Sequence, residues 1–309
     1  MDPDVPAIAV RALALICLYQ AAGAAFFVAL FSRHSPLILP RVCRLGVLAA
    51  ALGMVLVLLL SPLEAARMAG DFSGAGNAAL LRLALHSSRG DAHALQLAGL
   101  ALIAAGLWFH RARGAAVWTL YIAVMGATLA AVALTLTGHT SVNPLRAWLA
   151  PLLAVHLLVA AFWFGSLWPL WLMLRHETAV AAQAVLRRFS QIAIWLVPAV
   201  GLAGLGMGVL LIDGWSTLAR AYGLILIAKA IVFALLLLLA ALNRWRFMPA
   251  LLSVPKRTPA STRAPESTRT PESTAARAAL RHSIVTEYLL IAGVLALTAL
   301  LTTLYSPEH

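Results

Sequence analysis

The sequence predicts an all-α integral membrane protein: a bundle of about eight transmembrane helices with both termini outside, on the periplasmic side. Three observations carry this reading. Hydrophobic residues make up 62% of the chain and charged residues 11%, against roughly half and about a quarter in a soluble domain. The apolar residues come in runs of about 20, the length a helix needs to cross a bilayer. The basic residues are concentrated in alternate connections, as membrane topology demands. Ten-residue segments of alternating polarity, the mark of a membrane β-barrel, do not occur. Residues 1–309 therefore read as one polytopic membrane domain whose main partner is the lipid bilayer.

The first span, 7–31, follows a segment with Asp2 and Asp4 and no Lys or Arg. It lacks a basic n-region and outruns a signal-peptide core, so it reads as a span and not a cleaved signal. The second span is 43–63. The connection 64–91 is the longest outer loop, with a short helix expected around Asn77–His86. The third span, 92–110, is the shortest and is opened by His93 and Gln96; the fourth is 115–137 and the fifth 147–174. The sixth, 189–212, contains Gly204 and Gly208, a GxxxG pair that reads as close packing inside the bundle. The seventh and eighth are 218–243 and 283–305. Between them, 258–275 repeats an x-P-x-S-T-x unit. Proline every six residues and the lack of apolar side chains make 250–281 a disordered cytoplasmic linker.

A net charge of +12 raises the possibility of nucleic acid, but its distribution argues against it. With span-edge residues counted in the connection they adjoin, the connections after spans 1, 3, 5 and 7 hold sixteen Lys and Arg, and the others five. Basic residues favour the cytoplasm, which sets the orientation of the bundle. Cys17 and Cys43 fall within the first span and at the start of the second. They read as small buried hydrophobes, with soft-metal ligation the sharper alternative.

Polar groups inside a membrane are expensive and mark candidate sites. His156 lies roughly 14 Å below the outer face, with Trp163 seven residues on and therefore on the same face. Lys229 in the seventh span comes out at a similar depth, as do Met54 and Met125. Gly138 ends the fourth span and leaves His139 at the outer mouth. His86 and His93, also outer, share a face if they belong to one helix. His34, His110, His176 and His282 fall at the basic cytoplasmic edge. Imidazole and thioether are copper ligands, the thioether favouring Cu(I). This makes His86, His93, His139, His156, Met54 and Met125 candidate metal ligands. Glu287 enters the eighth span from the cytoplasmic side, too far from Lys229 for a direct pair. Asn243 and Arg244, at the end of the seventh, are its expected partners in a polar clamp between spans 7 and 8.

Several motifs together resemble the copper-resistance protein D (CopD) family. They are Phe189-Ser190, the Gly-rich sixth span, Tyr222-Gly223 followed by Lys229, Asn243-Arg244 with Pro249, then Glu287 and Pro307. Upstream, Gly138-His139 and His156 with Trp163 and Gly165 are similar to the family's GH and H…W.G elements. The resemblance covers about 137–307. It implies copper transport or handling across the bacterial inner membrane, with His139, His156 and His93 as ligands and a periplasmic CopC-like protein as a partner.

Three functions stay open on the residues alone. The first is a copper permease, taking copper from the periplasm through the outer and mid-membrane His and Met residues. It has no GxxxxGK[ST] or DKTG-like sequence to drive a primary pump. The second is a redox enzyme, in which His93, His139 and His156 hold b-type haem and pass electrons to or from quinone or a small periplasmic species. The third is a scaffold without a cofactor.

Overall fold

The computed structural model describes residues 3–112, 116–211, 221–249 and 271–304, without the side chains of 139–140, 179, 211, 221–222, 247 and 271–273. Among the described residues all regular structure is helical, and eight helices are long and apolar enough to cross a membrane. They are α1 (Asp4–Phe31), α2 (Leu39–Ala69), α3 (Ser88–Ala112), α4 (Val117–Val132), α5 (Arg146–His176), α6 (Ala179–Leu211), α7 (Ala221–Leu242) and α8 (Pro271–Leu304). A 3₁₀ turn, Ala133–Leu136, extends α4, and a π turn, Asn243–Phe247, follows α7.

Helix α1 is the centre of the bundle. In its most apolar stretch 72% of residues are buried, against 11% in α6 and 6% in α7. It packs on α2, α4, α5 and α8. Its composition explains the position: Ala21, Ala22, Gly23, Ala24 and Ala25 give a thin helix that neighbours can approach from every side. The closest approach is to α5, where Gly23 faces Gly165 backbone to backbone. A Cβ on either residue would overlap the other's Cα. The Gln20 side-chain amide donates to the Gly165 carbonyl at 3.1 Å and fixes the register of this contact.

Both ends of the bundle are closed by polar ties. At the end where α1 begins, Arg11 donates to the Thr302 carbonyl at 2.9 Å and Arg67 to that of Thr303 at 2.8 Å. These are terminal carbonyls of α8, which its own amides leave unsatisfied. At the opposite, basic end, the buried Glu177 carboxylate accepts the Ile38 amide at 3.0 Å, and its carbonyl accepts Arg277 at 3.2 Å.

Several element boundaries differ from the expected ones, two of them for reasons visible in the structure. Helix α2 runs past Pro62 and Glu64 to Ala69 and stops at Gly70, whose φ of +81° suits a left-handed cap. The charge at Glu64 does not end the span, because three arginines neutralise it. The linker expected over 250–281 is shorter at its far edge: α8 starts on Pro271, where a helix has no use for the missing N–H. Residues 250–270 lie outside the described residues. The short helix expected near Asn77–His86 is Ala78–Leu85, and the Asn77 side chain caps it by accepting from the Ala79 and Leu80 amides.

Candidate metal-handling site

His156 sits half-buried on the inner side of α5, facing α6. Its Nδ1 lies 3.1 Å from the Val200 carbonyl oxygen. A carbonyl only accepts, so Nδ1 carries the proton and Nε2 keeps the lone pair. Metal-bound histidines are commonly held this way, by a backbone acceptor on the second nitrogen. The ring lies beside Gly204 of α6: an added Cβ would stand 3.4 Å from Cε1 and 3.5 Å from Nδ1, in ordinary van der Waals contact. Lys229, half-buried on α7, is near enough for its charge to act on the imidazole.

Trp163 does not share this site. It is 8% exposed, and its indole N–H donates to Glu287 Oε2 at 3.3 Å. The other carboxylate oxygen accepts the Asn243 amide at 2.5 Å. Glu287 is 3% exposed and joins α5, the end of α7 and α8. Arg244 points elsewhere: it donates to the Ser190 carbonyl at 3.4 Å and to the Ser190 hydroxyl on α6. Successive residues of a helix point about 100° apart, so the π turn ties α7 to two neighbours with two consecutive side chains.

A second polar centre was not anticipated from the sequence. Glu64 on α2, 3% exposed, meets Arg11 of α1 at 2.5 Å, Arg89 of α3 at 2.8 Å and Arg67 of its own helix at 3.2 Å. Arg67 also reaches Asp4 at 2.6 Å. His93, half-buried on α3, feels the charges of Arg11, Glu64 and Arg89 and so belongs to this centre. The signal was present in the sequence. Arg11 stands inside the first span and needs an acid at its own depth, and Glu64 at the end of the second span supplies one.

The remaining candidates are scattered. His86 is exposed and ends the short helix Ala78–Leu85, so it does not share one helix face with His93 on α3. Met125 is 56% exposed and turned away from the bundle, because α4 buries the opposite face through Ala123, Gly126, Ala127 and Ala130. Met54 is half-buried against the core. His139 opens a short helix, His139–Val142, after Gly138 at φ +84°, and that helix packs on α5; the His139 side chain lies outside the description. Cys17 and Cys43 are buried free thiols. No three His, Cys, Asp or Glu among the described residues come together as a metal cluster. His93 and His156 have separate surroundings and do not form a facing imidazole pair of the kind that holds b-type haem between membrane helices; among the described residues nothing favours the haem alternative.

The family model "Copper resistance protein D" matches residues 183–301. That segment includes Ser190, Lys229, Asn243, Arg244 and Glu287. A second, "Copper resistance protein D-like, N-terminal domain", matches residues 1–144, which include Arg11, Glu64, His93 and His139. The chain belongs to the copper resistance protein D family. It is accordingly a multi-pass inner-membrane protein of copper resistance and handling. His156 and Trp163 fall in the interval between the two matches. No curated protein and no solved structure matches the chain.

Proposed function

We propose that the protein is a copper permease that takes copper from the periplasm and passes it inward through His156. The observation that supports this most is the posture of that ring: Nδ1 is engaged by the Val200 carbonyl, and Nε2 is the nitrogen left for a soft cation inside the bilayer. The distribution of Lys and Arg supports the orientation, with the basic end in the cytoplasm and both termini outside.

Entry runs by His139. The short helix it opens packs on α5, the helix that carries His156. His93 is a poor entry ligand, because the three arginines around Glu64 outnumber the two carboxylates there and oppose an arriving cation. Met54 is the described thioether that remains a candidate ligand, and a periplasmic CopC-like protein is the kind of donor such a mouth would use. Lys229 supplies positive charge beside His156 in the empty state. Glu287, Trp163 and Asn243 hold the helices that frame the path.

Reconstituted vesicles loaded with a Cu(I) chelator test this. Wild-type protein should accumulate copper, and His156→Ala and His156→Gln should both lose at least about tenfold in rate. Accumulation by His156→Ala equal to wild type overturns the role of His156. A reduced b-haem band with stoichiometric iron in the purified chain would replace the permease reading with the redox one.

A further inference from the structure

A cavity of about 210 Å³ opens between α5 and α8 at the basic end. Leu174, Arg175, Thr274, Arg277, Ala278 and Arg281 line it. Beside it, Trp171 carries two guanidinium groups, with Arg175 at 4.8 Å and Arg281 at 5.5 Å from the ring centroid. Two cations over one indole concentrate positive charge beside the cavity, an arrangement that gains when an anion binds there. Among the described residues neither Arg175 nor Arg281 has a carboxylate in ion-pair distance, whereas every ion pair described lies at the other end of the bundle. The Glu177 carboxylate, the nearest in sequence, is committed to the Ile38 amide. The Arg281 Nε is buried and has no hydrogen-bond partner.

We propose that this cavity binds an anionic phosphate group, supplied by the headgroup of an acidic phospholipid. Planar guanidinium forks match phosphate oxygens in pairs. The cavity is partly open, and Leu174 and Ala278 give it an apolar wall beside the arginines. Tryptophans at such a depth mark the headgroup level: Trp168 stacks on Trp171 at 5.0 Å and is itself 38% exposed. Basic pockets between membrane helices on the cytoplasmic side are the usual form of headgroup recognition. A second groove at the same end, lined by Arg44, Trp108 and Arg111 between α2 and α3, repeats the combination of arginines and tryptophan. A lipid wedged between α5 and α8 would hold together the two helices that Trp163 and Glu287 join deeper in the membrane.

The experiment is native mass spectrometry of the full chain in detergent, titrated with phosphatidylglycerol, phosphatidylcholine or inorganic phosphate. Wild type should retain phosphatidylglycerol preferentially, and Arg175→Gln with Arg281→Gln should weaken that retention by about tenfold. Arg175 is exposed, so Arg175→Gln alone spares the fold and should give part of the loss; Arg187→Gln with Arg188→Gln, outside the cavity, should give none. Inorganic phosphate that displaces the lipid at millimolar concentration assigns the affinity to the phosphate group. Lipid retained against phosphate adds a contribution from the acyl chains. Equal retention of phosphatidylglycerol and phosphatidylcholine by wild type, or unchanged retention in the double variant, overturns the proposal. None of these readouts involves copper, so the result is independent of the permease reading.

Discussion

At the scale of single residues, what distinguishes His156 from the other intramembrane groups is that one of its nitrogens has a fixed task and the other does not. Its neighbour Lys229 should then oppose any cation that arrives. Lys229→Met is expected to tighten Cu(I) binding by about tenfold while slowing turnover, which copper titration and vesicle uptake on the same preparation would check; weaker binding would contradict it. Glu64 makes the opposite kind of prediction. Its removal leaves three arginines facing one another out of water, and losing one partner of a buried charge set costs about 3–5 kcal/mol. Glu64→Ala should therefore lower the thermal unfolding midpoint in detergent sharply, with Glu64→Gln recovering part of the loss through its remaining hydrogen bonds. A midpoint within a degree of wild type would show that the network is not holding the helices. His156 was legible in the sequence because a lone imidazole in an apolar run stands out. The Glu64 centre was missed because Arg11, Glu64 and Arg89 are separated by 53 and 25 positions: Arg11 stood alone inside its span, and Glu64 and Arg89 looked like ordinary loop charges.

At the scale of helices, hydropathy located all eight spans, because lipid imposes an apolar length on each. It did not locate their ends. Helix α6 begins ten residues before the expected edge, since Ala179 to Arg188 is built of good helix formers and nothing there ends a turn. Helix α2 overruns because its acid is paired. The glycines teach the same lesson about contact. The GxxxG pair in the sixth span looked like a packing motif, but among the described residues a Cβ added at Gly208 would meet nothing within 4 Å, and one at Gly204 would meet only the edge of the His156 ring. The contact that tolerates no side chain is Gly23 against Gly165, one on each of two helices, which a single-chain pattern cannot display. Gly165→Ala should thus push α1 from α5 and lose about 1–3 kcal/mol, while Gly208→Ala should be neutral or stabilising by up to about 1 kcal/mol. Thermal unfolding of the two variants side by side decides it, and equal midpoints would refute the backbone contact.

At the scale of the whole molecule, the polar ties divide the bundle into two ends of different character. One is closed by ion pairs and the other carries arginines over aromatic rings. If the proposed orientation holds, a cysteine introduced at the exposed Ala78 should react with an impermeant maleimide added to intact cells, and one at Thr178 only after the membrane is opened. The buried Cys17 and Cys43 give little background. The reverse labelling pattern would invert the topology and turn the proposed import into export. Charge bias is what carries the proposed orientation. The arrangement of helices around α1 was not readable from the sequence, because it depends on which thin surfaces meet, and hydropathy is blind to that.

The shallow burial of α6 and α7 has a consequence for how the His156 region works. Its outer wall is made by the two helices that share the least surface with the rest of the chain, while its inner wall belongs to helices locked around α1. Breathing of the protein should therefore be asymmetric, with amide deuterium uptake fastest along the described parts of α6 and α7 and slowest along α1. A cation resting on the Nε2 atom would leave by parting a lightly seated pair of helices, with the frame standing still.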